Sequence, residues 1–244
     1  MKPWGQIGVV SLAVWLTGCQ RPAGDPFFFA ATTVLPGNFT AETPLDTREE
    51  RALVSFPLAV DQTQLVLIGV ESSDVDTYLE VVSSQGEILA ADDDHGPDVN
   101  PLLLVRLTPG SYTIRVLNTP GSLGSFTLGY RFISPWSNGI SGSLKAGDPQ
   151  HPDDGSWMDI YEIPGQARQL LLLELSSEGF SPFLQLLNPD GEGVALAYSR
   201  QSPLYLATYL ERTGPHTLRV SSTRPGQTGS YRLNTLIVSP RNLP

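Results

Sequence analysis

The chain has a single cysteine, Cys19, among 244 residues. No disulfide can form within it, so each folded body must depend on its apolar core. Charged residues make up only 16%, and cations are the scarcer sign, with 15 Lys and Arg against 25 Asp and Glu and a formal net charge of −10. Such a surface repels nucleic acid and anionic headgroups, and no nucleic-acid partner is expected. Histidine occurs three times, as His95, His151 and His216. None lies in an HExxH metal motif, and no serine stands in a G-x-S-x-G elbow. A dispersed Ser, His and Asp triad would meet only in the fold, so the sequence itself assembles no catalytic set, and the expectation is a protein that is not an enzyme. Long amphipathic helical patterns are missing too. The one sizeable apolar run, Ile7 to Leu16, is broken by Gly8 and Ser11 and falls short of the roughly 20 residues that a membrane-spanning helix requires.

That run follows Met1-Lys2-Pro3-Trp4 and ends at Leu16-Thr17-Gly18-Cys19. A basic start, an apolar stretch and small residues form an export signal. The four closing residues resemble the lipobox of bacterial lipoproteins, in which small residues admit the signal peptidase and the cysteine thiol takes a diacylglycerol. The resemblance implies residues 1–18 as a lipoprotein signal peptide and Cys19 as the lipidated residue. It also implies a protein exported across the cytoplasmic membrane and lipid-anchored in the bacterial cell envelope. One acyl chain anchors poorly, and two or three hold firmly. Residues 19–36, with Pro22 and Pro26, read as a spacer. Within it Phe27-Phe28-Phe29 is either a strand or arm packed on the first domain or a partner-binding patch.

What the chain has in quantity is glycine and proline, 23 and 21 residues, spread as turns between short apolar runs. Those runs recur at a spacing of 104 to 105 residues. Ser72–Val82 aligns with Ser176–Leu187 when one residue is inserted, and Gly86-Glu87 with Gly191-Glu192. Pro109–Val116 aligns with Thr213–Val220, and Gly124–Leu128 with Gly229–Leu233. The conserved order indicates duplication. Tyr112, Ile114 and Val116 alternate with Thr113 and Arg115, the pattern of a half-buried strand. Leu65–Ile68 and Leu170–Leu173 are continuous apolar runs, short enough to favour strands buried on both sides over helices. Gln85-Gly86 and Asp190-Gly191 are placed for tight hairpins, where glycine takes a positive φ. The expected fold is all-β: two tandem antiparallel β-sandwiches, jelly-roll-like, at residues 37–134 and 140–239, with a linker at 135–139 and a tail at 240–244.

The first copy carries Asp74-Val75-Asp76-Thr77-Tyr78-Leu79, the Gly86 turn, Ala91-Asp92-Asp93-Asp94 and Leu107–Val116. The second carries Asp154–Tyr161, Leu186–Gly191 and Gly229-Ser230-Tyr231. As an ordered set these resemble the bacterial pre-peptidase C-terminal domain, a calcium-associated β-sandwich often appended to secreted proteases. The resemblance spans most of residues 37–239 as two divergent copies. Each copy departs from the pattern: Ala197-Tyr198-Ser199 replaces the acidic run in the second, and Ala52-Leu53-Val54 stands in the first where the second has Trp157-Met158-Asp159. Family members accompany a catalytic domain and assist secretion or substrate attachment, and no such domain is left here.

Pairing of residues 78–83 with 87–92 would bring Asp74 and Asp76 beside Asp92, Asp93 and Asp94. Five carboxylates at one sheet end repel unless water screens them or a cation neutralises them. Either a solvated acidic turn or a calcium ion, which takes six to eight oxygens in flexible geometry, satisfies that demand. No cofactor is required otherwise. His95, beside the acidic run, reads as a loop cap in preference to a metal ligand. Asp159 alternates with Trp157 and Tyr161 on a face expected to be buried, where backbone amides or a cation near Asp153 and Asp154 would satisfy it. Trp136 and Trp157 serve as packing residues or as stacking surfaces for sugars. Three functions are compatible with this set. The first is a noncatalytic, membrane-tethered binding or adhesion lipoprotein that holds an envelope protein or an extracellular polymer. The others are a structural or secretion accessory of the envelope and a cryptic hydrolase.

Overall fold

The computed structural model describes residues 33–48, 50–94, 96, 100–133, 136 and 139–238. Cys19, Phe27-Phe28-Phe29 and His95 lie outside them. The chain divides into two compact units that meet in sequence at Pro135, and every regular element in the described residues is a strand.

The first unit has eight strands: β1 (Thr33–Phe39), β2 (Leu53–Val60), β3 (Gln64–Glu71), β4 (Thr77–Ser83), β5 (Ile88–Asp92), β6 (Leu102–Leu107), β7 (Gly110–Asn118) and β8 (Gly124–Ile133). They form two antiparallel sheets in the orders β1-β8-β3-β6 and β2-β7-β4-β5. This is the double-sheet jelly roll, in which Greek-key connections carry the chain back and forth between sheets. The second unit repeats the path with β9 (Gly139–Leu144), β10 (Met158–Gly165), β11 (Leu170–Ser177), β12 (Pro182–Leu187), β13 (Gly193–Tyr198), β14 (Leu204–Tyr209), β15 (Gly214–Ser222) and β16 (Gly229–Val238). Its sheets run β9-β16-β11-β14 and β10-β15-β12-β13, strand for strand the same. The all-β class and the sandwich architecture expected from the periodicity are therefore present.

Period-two alternation builds each core. In the first sandwich Ile114 and Val116 of β7 meet Leu79 and Val81 of β4, with Val66, Ile68, Phe126 and Leu128 from the other sheet. In the second, Leu218 and Val220 meet Leu184 and Leu186, with Leu171, Leu173 and Leu233 opposite. The continuous apolar runs are strands, and all of Leu65–Ile68 and Leu170–Leu173 is buried.

Both predicted hairpins form. Gly86 and Gly191 sit at φ of +83° and +84°, and their amides donate to Ser83 O and Asn188 O, each at 2.9 Å. A bulge follows at the same place in both, between Val81 and Val82 and between Leu186 and Leu187. A second shared device joins Gly37 to Phe126 and Gly142 to Tyr231, paired residues on neighbouring strands. In each case the aromatic ring lies over the glycine where a Cβ would stand. Gly37 and Gly142 are thus close-approach glycines on edge strands, covered by an aromatic partner.

Two expectations change. The first sandwich begins at Thr33, not at residue 37, because Thr33–Pro36 pairs with Tyr130–Thr127. Thr33–Phe39 contains Pro36, which this strand accommodates because β1 has only β8 as a ladder neighbour and an edge strand tolerates proline. The sequence match of Ser72 to Ser176 is one residue out of step. Val70 pairs with Leu128 and Leu175 with Leu233, so Ser72 corresponds to Ser177. Both amides are then capped alike, Ser72 N by Asn100 Oδ1 at 3.0 Å and Ser177 N by Ser202 Oγ at 2.7 Å.

Candidate functional site

The hairpin β4–β5 forms as expected, with Leu79 opposite Asp92, but it does not gather five carboxylates. Among the described residues the one group of three or more carboxylates with oxygens within 4.8 Å of one another is Asp92, Asp93 and Asp94. Asp74 instead accepts from Ser125 Oγ at 2.9 Å and from Ser73 Oγ at 3.1 Å. These hydroxyls, with the Ser125 amide, hold its carboxyl below the ordinary value. Asp76 accepts from Thr119 Oγ1 at 3.1 Å. Both aspartates thus fasten the turn between β7 and β8. Asp92 is buried, and its Oδ2 accepts the Leu102 amide at 2.7 Å, tying β5 to the start of β6. The trio offers oxygens that suit a hard cation.

A second charged group was not singled out from sequence. On the outer face of β2-β7-β4-β5, Glu80 pairs with Arg115 across β4 and β7. The segment that follows β1 lays Asp46 and Arg48 over them. Arg115 Nη1 donates to Glu80 Oε2 at 2.7 Å, and its Nη2 binds Asp46 Oδ2. Arg48 Nη2 reaches Glu80 Oε2 at 2.9 Å, and its amide reaches Asp46 Oδ1 at 2.7 Å. Asp46 and Glu80 are 5% and 2% exposed. Burial alone would raise the Asp46 pKa, but the Arg48 amide and the two guanidinium groups outweigh it and hold the carboxyl at about 2. Two carboxylates and two guanidiniums make a neutral, closed set. Alternation placed Arg115 on the outward face of its strand, but nothing in the sequence linked it to Glu80 or Asp46.

The second sandwich holds different side chains at the same places. The isolated bridges Leu45–Ala52 and Gln150–Trp157 set the two loops in register, so His151 stands where Asp46 does. Gln185 replaces Glu80, while Arg219 keeps the place of Arg115 and again faces its partner across the strands. Arg219 Nη1 donates to Gln185 Oε1 at 2.9 Å, and His151 Nε2 lies 3.1 Å from the same oxygen. Because guanidinium only donates, that oxygen is an acceptor and His151 Nε2 carries the proton. Nδ1 then accepts the Asp153 amide at 3.4 Å. Asp153 and Asp154 approach that nitrogen at 3.8 and 3.9 Å. Phe183 packs edge-on against the imidazole, with ring centroids 5.3 Å apart.

Asp159 is partly buried, as the alternation with Trp157 and Tyr161 implied, and its hydrogen-bond partner among the described residues is a tyrosine hydroxyl where backbone amides were expected. Tyr231 OH donates to Asp159 Oδ2 at 2.5 Å and sits 2.5 Å from Tyr161 OH. Burial and the hydrogen bond to Asp159 push the Tyr231 hydroxyl far above its ordinary pKa. Trp157 packs against the second core, and Trp136 is partly buried. His216 is buried, with Nδ1 3.1 Å from Gly214 O.

No family model and no curated protein matches the chain. Among solved structures, the PBSX exported protein XepA is 11% identical, with 83% of this chain and 86% of that one covered at a TM-score of 0.26. A putative secreted protein from Eubacterium rectale is 8% identical, covering 84% and 74% at a TM-score of 0.26. The Macrobrachium rosenbergii nodavirus structure is 10% identical, covering 97% and 98% at a TM-score of 0.21. Overlap that loose says nothing of function, and the jelly-roll assignment stands on the strand pairings.

Proposed function

We propose that the chain is a membrane-tethered, noncatalytic binding lipoprotein of the bacterial envelope. Cys19 supplies the anchor, and the two sandwiches hold a protein or polysaccharide partner. The observation that supports this most is the joining, in one chain, of an export signal ending at the sole cysteine to two sandwiches that each have a full core of their own. The relationship to pre-peptidase C-terminal domains belongs to the same reading. So does a calcium ion at Asp92, Asp93 and Asp94, the carboxylates that the hairpin brings together.

Cell fractionation tests the anchor. Cys19→Ser should move the protein from the membrane to the soluble fraction, and retention in the membrane would remove the lipid from the account. A pull-down from the organism's own envelope tests the binding role, and recovery of no envelope protein or polymer would contradict it. Calcium is tested by thermal unfolding, where a ligand of the native state raises the midpoint by mass action. Identical curves with calcium and with chelator would withdraw the metal.

A further inference from the structure

Within each sandwich one arginine occupies the middle of the same outer sheet face, and only one of the two is neutralised. Arg115 is enclosed by the carboxylates of Asp46 and Glu80. Arg219, in the matching place, has Gln185 Oε1 as its hydrogen-bond partner, and that oxygen is shared with His151. An amide oxygen carries only a partial charge and does not cancel a guanidinium. Among the described residues no carboxylate pairs with Arg219, and its Nε donates to nothing although it is buried. Asp153 and Asp154 stand on the far side of the imidazole, against Nδ1, and Asp154 is already bonded to the amide and hydroxyl of Ser156 at 2.9 and 2.8 Å.

We infer that Arg219, with Gln185 and His151 behind it, is a binding site for a carboxylate carried by an acidic peptide segment of a partner protein. Charge complementarity selects the carboxylate: the first sandwich fills the same fork with two of them, and guanidinium–carboxylate pairing is the strong form of this contact. The surroundings select a peptide. Ile160, paired with Arg219 across the strands, is 53% exposed and takes the place of Ser55 in the first sandwich. Leu196 pairs with Gln185 on the other side. The Arg219–Gln185 pair, with Ile160 on one side and Leu196 on the other, matches an acidic side chain flanked by apolar ones. Arg219 is itself only partly buried, so a ligand can reach it.

This site deepens the binding role proposed above and rests on it, yet the two fail separately. Calorimetric titration of the full-length protein in nonionic detergent at low salt, with an end-capped hexaglutamate peptide as probe, tests it. Saturable binding is expected in the wild type. Gln185→Glu installs an internal carboxylate where Glu80 stands in the first sandwich, and should weaken binding by about tenfold or more. Ser55→Glu adds the same charge on the matching face of the first sandwich and should leave binding unchanged. Arg219→Met should abolish it. No binding in the wild type, equal affinity in Gln185→Glu, equal weakening by Ser55→Glu, or capture of oligogalacturonate in place of the peptide would each overturn the site. An envelope partner retained equally by wild type and Gln185→Glu would leave the binding role standing and remove this site from it.

Discussion

Residues 40–48 and 50–52 of the first sandwich and 145–157 of the second fold back over the same sheet, from the same position in the chain path. The first loop closes that face with a neutral set of four charges, Asp46, Arg48, Glu80 and Arg115. The second closes it with an imidazole, an amide and one guanidinium, His151, Gln185 and Arg219. Inside the sandwiches the exchange runs the other way. Val54 and Phe56 pack on the apolar core that includes Phe126 in the first, with Phe56 and Phe126 edge-on at 6.2 Å. Asp159, Tyr161 and Tyr231 make a hydrogen-bonded chain in the second. Glycine turns, hairpin bulges and the glycine–aromatic pairs are common to both. Backbone requirements have been retained through the duplication, while polar networks have been exchanged as whole sets. That is expected where removing one member leaves the others buried without partners.

The comparison can be broken at three strengths. Glu80→Leu leaves Arg48 and Arg115 facing an apolar side chain, and should destabilise the first sandwich by about 3–5 kcal/mol in denaturant unfolding. A loss under 1 kcal/mol would mean that the network adds nothing to that face. Acid should separate the sandwiches next. The Asp46 carboxyl is held at about 2 against an ordinary 3.8, so its contribution is present above pH ~4. It fades as pH falls through about 2, by on the order of 2 kcal/mol in all. Asp46→Asn should flatten that part of the pH profile, and the second sandwich, with His151 in that place, should not show it. The smallest effect is expected from Asp159→Val, which leaves the Tyr231 hydroxyl with Tyr161 as its remaining partner. It should cost about 1 kcal/mol, read as a shift in the unfolding midpoint.

How far the sequence reached follows from what each feature depends on. Alternation at Tyr112, Ile114 and Val116, the turns at Gly86 and Gly191, and the duplicated order of segments all lie within a few residues of chain, and each specified strand, hairpin or repeat. The start of the first sandwich was set too late because an edge strand with one neighbour has no long apolar run to mark it, and edge position is a property of the sheet and not of the segment. The acidic cluster was half legible. Asp92, Asp93 and Asp94 are adjacent, but whether Asp74 and Asp76 join them depends on Ser125 and Thr119, about fifty and forty residues further along the chain. Pairing of Glu80 with Arg115 follows from strand register, which periodicity leaves open by two residues at a time. Asp46 enters only through a loop that no pattern places. Arg219 was legible through its alignment with Arg115; that no carboxylate among the described residues pairs with it becomes visible only beside Arg115.

The central claim is that the two sandwiches offer one backbone frame to interchangeable side-chain sets. Unfolding of the second sandwich with Asp159→Val, Tyr161→Phe and Tyr231→Phe together, against the three single variants, tests it most directly. If the claim holds, the combined variant, which carries the set of the first sandwich, is within about 1 kcal/mol of wild type and clearly more stable than the sum of the single losses. A combined loss equal to that sum would contradict it.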